Sequence, residues 1–263
     1  MGERPDIDLT RPSAARVYDY YLGGAHNFAV DREMAEQAIS MWPALPLIMQ
    51  ANRAFLRRAV QFCVRRGVTQ FLDLGSGIPT VGNVHEVARE AVPDARVVYV
   101  DNDPIAVTYS RTILGDDPRT TVVQEDLRHP EEVLADPAVA GMLDFDRPIA
   151  VMMVAVLHFV QDDPAKIITA YRDAVPSGSY LVMSHATHDG QDTQADDHTD
   201  LYRRRTATPM TMRSKPEVEA LFDGYELVEP GVVHLPLWRP ASPEDVGEHP
   251  ERFAGLAAVG RKL

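Results

Sequence analysis

The sequence predicts an α/β fold in which a doubly wound, mostly parallel sheet follows a helical N-terminal part. From residue 68 onward, short apolar runs alternate with segments of helical periodicity, as in repeated β-α units with right-handed crossovers. The run from Ile149 to Leu157 has no polar alternation, which indicates a central parallel strand covered on both faces. Two late strand candidates, Tyr225–Glu229 and Arg252–Gly260, lie about 20 residues apart and suit an antiparallel pair at one sheet edge.

The first part of the chain is predicted to be helical. Asp31 can cap a helix whose apolar residues recur on one face and which ends near Pro43. Asn52 can cap a second helix, and Gly67 has the position of the glycine that often follows a helix. Residues 1–66 are therefore assigned to a helical extension that precedes the sheet.

Residues 67–263 are predicted to form the sheet and its covering helices. The earlier strand candidates are Gln70–Leu74, Arg96–Val100, Thr120–Gln124, Ile149–Leu157 and Ser179–Ser184. The helix candidates are Val81–Val92, Pro104–Leu114, Pro130–Ala140, Pro164–Ala174 and Lys215–Phe222, several of which begin with a proline that the first turn tolerates. Two polar segments, 187–200 and 236–250, are predicted to be loops or lids.

Composition excludes several classes of protein. The net charge of −13 disfavours binding to nucleic acid or anionic lipid. The longest apolar run is about nine residues, whereas a membrane helix needs roughly 20, and the N-terminus lacks the pattern of a signal peptide. The lone Cys63 permits no intramolecular disulfide, and the acidic and histidine residues of 188–198 lack metal-ligand spacing. A cytoplasmic protein without a metal is expected.

Acidic residues end successive strands of the predicted sheet, where ligands of such folds bind. Asp73 ends the first strand, and Gly75 and Gly77 follow it where backbone must pass close to a ligand. The dinucleotide fingerprint requires a third glycine, but this chain has Thr80 there, so a pyrophosphate cradle is poorly matched. Asp101 lies 24 residues after Gly77, the distance at which an acidic residue meets a ribose diol.

The third strand end completes the pattern of a nucleoside site. Asp126 can accept a hydrogen bond from an adenine amine, and Leu127 can supply a backbone N–H and an apolar contact. Three acidic strand ends suit a ligand with an ammonium group, a ribose diol, an adenine amine and no phosphate. S-adenosyl-L-methionine is such a ligand.

Segments over nearly the whole chain also carry a family resemblance. They are ARVYDYYLGGAHNF (15–28), ANRAFLRRAV (51–60), FLDLGSGIPT (71–80), NVHEVA (83–88), VVYVDNDP (97–104), LDFDRPIAVMMVAVLHFV (143–160), GSYLVMSHAT (178–187) and AAVGRK (257–262). They resemble class I S-adenosylmethionine-dependent methyltransferases, and more closely the S-adenosyl methyltransferase family formerly catalogued as a domain of unknown function. YDYYLGGAHNF together with VDNDP and AVLHFV is the specific part, because DLGSG alone occurs more widely.

The resemblance implies a Rossmann-like sheet of seven mostly parallel strands with an antiparallel last strand. It also implies which residues of this chain contact each part of the cofactor. Asp73, Gly75 and Gly77 would border the methionine part and Asp101 the ribose, while Asn102, Asp126 and Leu127 would line the adenosine pocket.

Two further regions are candidates for the acceptor side. The paired glycines 23–24 break a helix, so 18–28 is predicted to be a lid whose Tyr18, Tyr21, His26 and Asn27 shape the acceptor pocket. The alternative is a helix and turn that simply pack on the sheet. His158 follows the fourth strand and is either a general base or a structural histidine that holds its loop.

The function predicted is methyl transfer from S-adenosylmethionine to an unidentified small-molecule acceptor. One alternative is a non-catalytic regulator that binds S-adenosylmethionine or its product S-adenosylhomocysteine. A nicotinamide-dependent oxidoreductase is a third hypothesis, against which Thr80 and Asp126 both argue. A pocket open beside Tyr18 and His158 would favour the enzyme, and a filled one the regulator.

Overall fold

An eight-stranded, mostly parallel sheet forms the centre of the protein. The computed structural model describes residues 10–79, 82–191, 194–206 and 208–263. The strands are β1 (Gln70–Leu74), β2 (Arg96–Asp101), β3 (Thr120–Gln124), β4 (Ala150–Val154), β5 (Tyr180–Ala186), β6 (Tyr225–Leu227), β7 (Val233–His234) and β8 (Gly255–Lys262). Their order is β3-β2-β1-β4-β5-β8-β6, with β7 beside β8. Because β8 runs antiparallel to β5 and β6, the predicted α/β fold with an antiparallel last strand is confirmed, and the two-residue β7 is added to it.

Helices cover both faces of this sheet. They are α1 (Ala14–Tyr21), α2 (Ala29–Met41), α3 (Leu45–Arg65), α4 (Val84–Arg89), α5 (Pro104–Leu114), α6 (Pro130–Ala135), α7 (Pro137–Met142), α8 (Pro164–Ala174), α9 (Gln194–Arg205) and α10 (Lys215–Ala220). Within the described ranges, no helix combines the length and the apolar character that a membrane span requires.

Two predicted helix caps in the N-terminal part were wrong. Asp31 lies inside α2, where its carboxylate accepts from the backbone N–H of Phe28 (2.9 Å) and from Arg16 Nε (2.8 Å). The next helix begins at Leu45, well before Asn52, whose side chain is buried against other elements. Both residue types are typical caps, but here tertiary partners take their side chains.

The segment 187–200 was predicted to be a loop, but most of its second half belongs to α9. The helix has acidic residues in its first turn and three arginines in its last turn, which complements the helix dipole. Its buried face is formed by Ala195, His198, Leu201 and Tyr202. The helical period was not recognised in the sequence because one member of that face is a histidine. Asp192 and Thr193, which precede the helix, lie outside the described residues.

Other boundaries differ by a few residues for local reasons. The helix predicted over 130–140 is divided at Asp136, which accepts from Ala138 and Val139 and so starts α7 anew. The fourth strand ends at Val154 because Ala155 adopts a φ of 56° and a short 310 turn, Leu157–Phe159, follows. The helix expected from residue 81 begins at Val84, and residue 81 itself lies outside the described part.

The core consists of two layers, one on each face of the sheet. Alternate residues of β4 point to opposite layers: Met152 packs with α2 and α3, whereas Val151 and Met153 pack on the side of α8. This two-sided burial explains the uninterrupted apolar run of the central strand. Because α3 packs on β4, β5 and β8, the N-terminal helices rest directly over the site-bearing end of the sheet.

Candidate functional site

A cavity of about 640 Å³ lies at the carboxyl ends of the parallel strands. That volume falls within the roughly 300–1,000 Å³ of small-molecule sites. Its floor comes from residues at and after the ends of β1 to β5, and its cover from α1, Trp42, α3 and α9. The ligand site of a doubly wound sheet is expected at this edge.

The turn after β1 brings two glycines to the cavity. Gly75 and Gly77 have positive φ values of 71° and 63°, a backbone conformation that residues with side chains rarely adopt. The backbone N–H groups of Gly75 and Ser76 donate to Val100 O at 2.8 and 3.1 Å, so the turn is anchored to β2. A Cβ on Gly75 would lie 2.2 Å from Val156 Cγ2, whereas one on Gly77 would meet nothing within 4 Å.

Asp101 joins the end of β2 to this glycine turn. One carboxylate oxygen accepts from Gly77 N–H at 2.7 Å, and the other accepts from Asp103 N–H at 2.9 Å. Burial raises the pKa of Asp101 to about 6, although the backbone hydrogen bonds oppose that shift. The side chain thus fixes the shape of the turn and also lines the cavity.

Asp73 is a buried carboxylate that faces the cavity at the end of β1. Burial raises its pKa to about 7, the positive charge of Arg53 lowers it, and the negative charge of Asp101 raises it. No described residue donates a hydrogen bond to this carboxylate or forms an ion pair with it. Such a group is costly to ionise in isolation and is suited to a cationic ligand.

The end of β3 contributes a carboxylate that already has partners. Asp126 accepts from the guanidinium of Arg128 at 3.0 Å and from Asn102 Nδ2 at 3.3 Å. Burial raises the pKa of Asp126, but the hydrogen bonds from Arg128 and Asn102 outweigh burial and leave it below its ordinary value. Leu127 is buried beside it, and its carbonyl accepts from the Tyr171 hydroxyl at 3.1 Å. Asn102, Asp126, Leu127 and Arg128 all line the cavity.

The cover of the cavity is tied to the strand ends by a chain of polar side chains. Asn52 donates to the Tyr18 hydroxyl at 2.8 Å and accepts from the Ser184 hydroxyl at 2.6 Å. Ser184 Oγ in turn accepts from Ala155 N–H at 2.9 Å. Tyr18 and Tyr21 both line the cavity.

His26 and Asn27 lie apart from Tyr18 and Tyr21. A buried carboxylate, Asp19, accepts from His26 N–H at 2.8 Å and from Asn27 Nδ2 at 2.9 Å. The His26 ring packs edge-on against Tyr109, and neither His26 nor Asn27 is among the cavity-lining residues. A Cβ on Gly24 would lie 2.1 Å from Asp19 Oδ1, so the turn at 22–28 closes around this carboxylate.

His158 lies in the 310 turn after β4 and lines the cavity. The backbone N–H of Ala186 donates to its Nδ1 at 3.4 Å, a long hydrogen bond that favours the tautomer with the proton on Nε2. Burial holds the pKa of His158 well below its ordinary value, and nearby His185 and Arg213 lower it further. The imidazole is therefore neutral at physiological pH.

A series of rings in edge-to-face or tilted contact continues from His158 along the cavity. Ring centroids are 4.3 Å apart for His158 and Phe159, 5.6 Å for Phe159 and Tyr202, 4.9 Å for Tyr202 and His198, and 5.7 Å for His198 and Trp42. We call these five residues the aromatic wall. Most of the aromatic wall was not predicted, because the segment 187–200 was expected to be a loop.

The described residues hold no group of three or more His, Cys, Asp or Glu side chains placed to bind a metal ion. Asp192, part of the acidic stretch considered for metal binding, lies outside those residues. The absence of a metal stays a prediction.

Comparison with known proteins gives the family. The model of the S-adenosyl methyltransferase family matches residues 1–263. A candidate methyltransferase from Thermobifida fusca YX is 43% identical, with a TM-score of 0.92 over 98% of this chain and 97% of that chain. A DUF574 family protein from Streptomyces avermitilis MA-4680 is 40% identical, with a TM-score of 0.92 over 97% of this chain and 99% of that one. No curated protein sequence matches. The chain belongs to the S-adenosyl methyltransferase family, as the segments that resemble this family predicted.

Proposed function

We propose that this S-adenosylmethionine-dependent methyltransferase acts on a small-molecule acceptor held between the glycine turn and the aromatic wall. The observation that carries the proposal is Asp73, a buried carboxylate to which no described residue donates a hydrogen bond, in a cavity that continues to His158. S-adenosylmethionine, when bound, supplies a methyl group that is already activated by the sulfonium charge. The chain's own task is therefore to align the two molecules and exclude water.

The cofactor-binding roles follow the strand ends. Asp73 would pair with the ammonium group, while the positive-φ backbone at Gly75 and Gly77 allows close approach of the methionine part. Asp101 would hold the ribose diol. Asn102, Asp126 and Leu127 would line the adenosine pocket, with the Asp126 carboxylate already oriented by Arg128. These assignments fit a ligand without phosphate, because the carboxylates of Asp73, Asp101 and Asp126 would repel a phosphate group.

Calorimetry with S-adenosylhomocysteine tests this proposal directly. We expect binding at pH 7.5 and none of NADH under the same conditions. Asp73 must be ionised to pair with the ammonium group, and its pKa is about 7, so affinity falls as the pH decreases through that value. At pH 6 we expect roughly tenfold weaker binding than at pH 7.5.

The Asp73→Asn variant is the control for the pH effect. Its affinity should be lower at pH 7.5 and should change by only about twofold between pH 6 and pH 7.5, because Asp73 no longer titrates and only Asp101, with a pKa of about 6, still does. A protein that folds normally but binds no S-adenosylhomocysteine would refute the cofactor assignment. An unchanged pH dependence in the variant would refute the role of Asp73.

His158 is proposed as the general base for an acceptor that loses a proton. A neutral, buried imidazole can accept a proton, and its depressed pKa suits a proton that becomes strongly acidic as the methyl bond forms. His158→Gln should lower turnover on an identified acceptor about 100-fold or more, with S-adenosylhomocysteine affinity within about twofold of the wild type. Unchanged turnover would leave His158 as a structural residue.

Residues 1–66 are proposed as the helical extension that covers the cavity, and 67–263 as the methyltransferase domain. Tyr18 and Tyr21 lie on that cover, and the Tyr18–Asn52–Ser184 hydrogen bonds support a closed position over the strand ends. His26 and Asn27 would act there only indirectly, by shaping the turn around Asp19.

The alternative of a non-catalytic regulator is less well supported. A regulator needs only the cofactor end, yet the cavity continues past the glycine turn to His158, Phe159 and His198. Location in the cytoplasm and the absence of nucleic-acid partners stay predictions. Cell fractionation would test the first, and titration with duplex DNA and tRNA the second.

A further inference from the structure

The two ends of the cavity differ in charge. Charged side chains that line it lie in 11–16, at Arg53, or at and after the ends of β1, β2 and β3. The end formed by Trp42, β4, β5, α9 and 208–212 has no Asp, Glu, Lys or Arg among the described lining residues. Its histidines are neutral at physiological pH because burial lowers the pKa of His185 and of His198 to about 4. Arg213 contacts His185 Nε2 at 2.7 Å but is not among the lining residues, so no described side chain in the wall of this end offers a charge to an acceptor.

The surface that remains is aromatic and sulfur-bearing. The five rings of the aromatic wall are joined edge to face or tilted, and Met49, Met210 and Met212 also line the cavity. Ring edges and thioethers favour the faces of another aromatic molecule. This end of the site is therefore complementary to an aromatic ligand.

His198 is the polar exception in this wall. It is 5% exposed, and neither of its ring nitrogens has a hydrogen-bond partner among the described residues. Buried polar groups in proteins nearly always have partners, and one without a partner is costly. A ligand group that hydrogen-bonds the imidazole would remove that cost. The other two histidines at this end have contacts within the chain: His185 with Ala186 and Arg213, and His158 with Ala186.

We propose that the methyl acceptor is an uncharged aromatic compound with one hydroxyl or carbonyl group, and that His198 pairs with that group. The proposal rests on the proposed methyltransferase function and adds the substrate class. His198 is then a specificity residue, placed by α9 across the cavity from the glycine turn. An acceptor of this kind excludes phosphorylated, carboxylated and polymeric nucleic-acid substrates.

The test uses three fluorescent probes on protein saturated with S-adenosylhomocysteine at pH 7.5. 2-Naphthol has a neutral hydroxyl group, 2-naphthoate has a carboxylate, and naphthalene has neither. We expect 2-naphthol to bind most tightly and 2-naphthoate to bind at least about tenfold more weakly, because its charge would be buried without a partner. Equal or tighter binding of 2-naphthoate, or binding of none of the three, would overturn the substrate class.

The His198→Phe variant tests the specificity residue. Phenylalanine retains a ring beside Trp42 and Tyr202 but has no nitrogen. We expect about fivefold weaker binding of 2-naphthol, with naphthalene and S-adenosylhomocysteine within about twofold. The matched control, His249→Phe, replaces an exposed histidine outside the cavity and should change nothing. An unaltered 2-naphthol affinity in His198→Phe would refute the pairing. Failure of S-adenosylhomocysteine itself to bind would instead refute the proposed function.

Discussion

Replacement of Asp101 by alanine is expected to weaken S-adenosylhomocysteine binding by about 100-fold or more. The carboxylate holds the N–H groups of Gly77 and Asp103, so its loss loosens the glycine turn at Gly77 and also removes the proposed ribose contact. Hydrogen bonds to a charged group contribute about 1.5–3 kcal/mol each. The loss of two such bonds to the ribose diol is enough for a 100-fold change in affinity, since tenfold corresponds to about 1.4 kcal/mol. Calorimetry at pH 7.5 measures the effect.

Two further variants separate binding from folding. Asp101→Asn keeps an oxygen for one of the two N–H groups, and an intermediate affinity is expected. Asp116→Ala removes an exposed acidic residue outside the cavity and should leave binding unchanged. A folded Asp101→Ala protein with wild-type affinity would show that Asp101 contributes nothing to the cofactor site.

Replacement of Gly75 by alanine is expected to lower the free energy of unfolding by about 2–4 kcal/mol. The added Cβ would lie 2.2 Å from Val156 Cγ2 and 2.7 Å from Val156 Cβ, and the residue would have to keep a φ of 71°. Val156 has little room to retreat, because its own Cβ is among the atoms approached. Urea denaturation measures the loss.

Gly77→Ala is the matched variant for this experiment. It has a similar φ of 63° but meets nothing within 4 Å, so only the backbone strain, about 1 kcal/mol, is expected. Adding Val156→Ala to Gly75→Ala should recover part of the lost stability, because it removes the colliding methyl groups. Equal losses for the two glycine variants would mean that Val156 moves aside at little cost.

The parts of the site that could be predicted are those that depend on local sequence. Asp73, Asp101 and Asp126 each follow a strand, and parallel strands bring their carboxyl ends to one edge, so the periodicity of the strands was enough to group them. The glycine turn was predictable for the same reason. The order of β1 to β5 follows from the fold class.

The missed parts depend on packing between distant segments. The role of Asn52 arises only because α1 and β5 meet at α3, which no local pattern encodes. His198 and Tyr202 reach the cavity because α9 packs against α2, and a histidine on the buried face concealed the helical period. His26 and Asn27 were grouped with Tyr18 by proximity in sequence, but Asp19 takes their polar groups.

The buried hydrogen bonds from Tyr18 through Asn52 to Ser184 couple the opening of the cavity to the entry of water. Displacing α1 would separate the Asn52 amide from the Tyr18 hydroxyl, while the Asn52–Ser184 bond between α3 and β5 would remain. Water would have to enter at the same moment to replace the Tyr18 hydroxyl as the partner of Asn52. A movement of α1 that admits a ligand therefore also admits water, and this water must leave before α1 can close again.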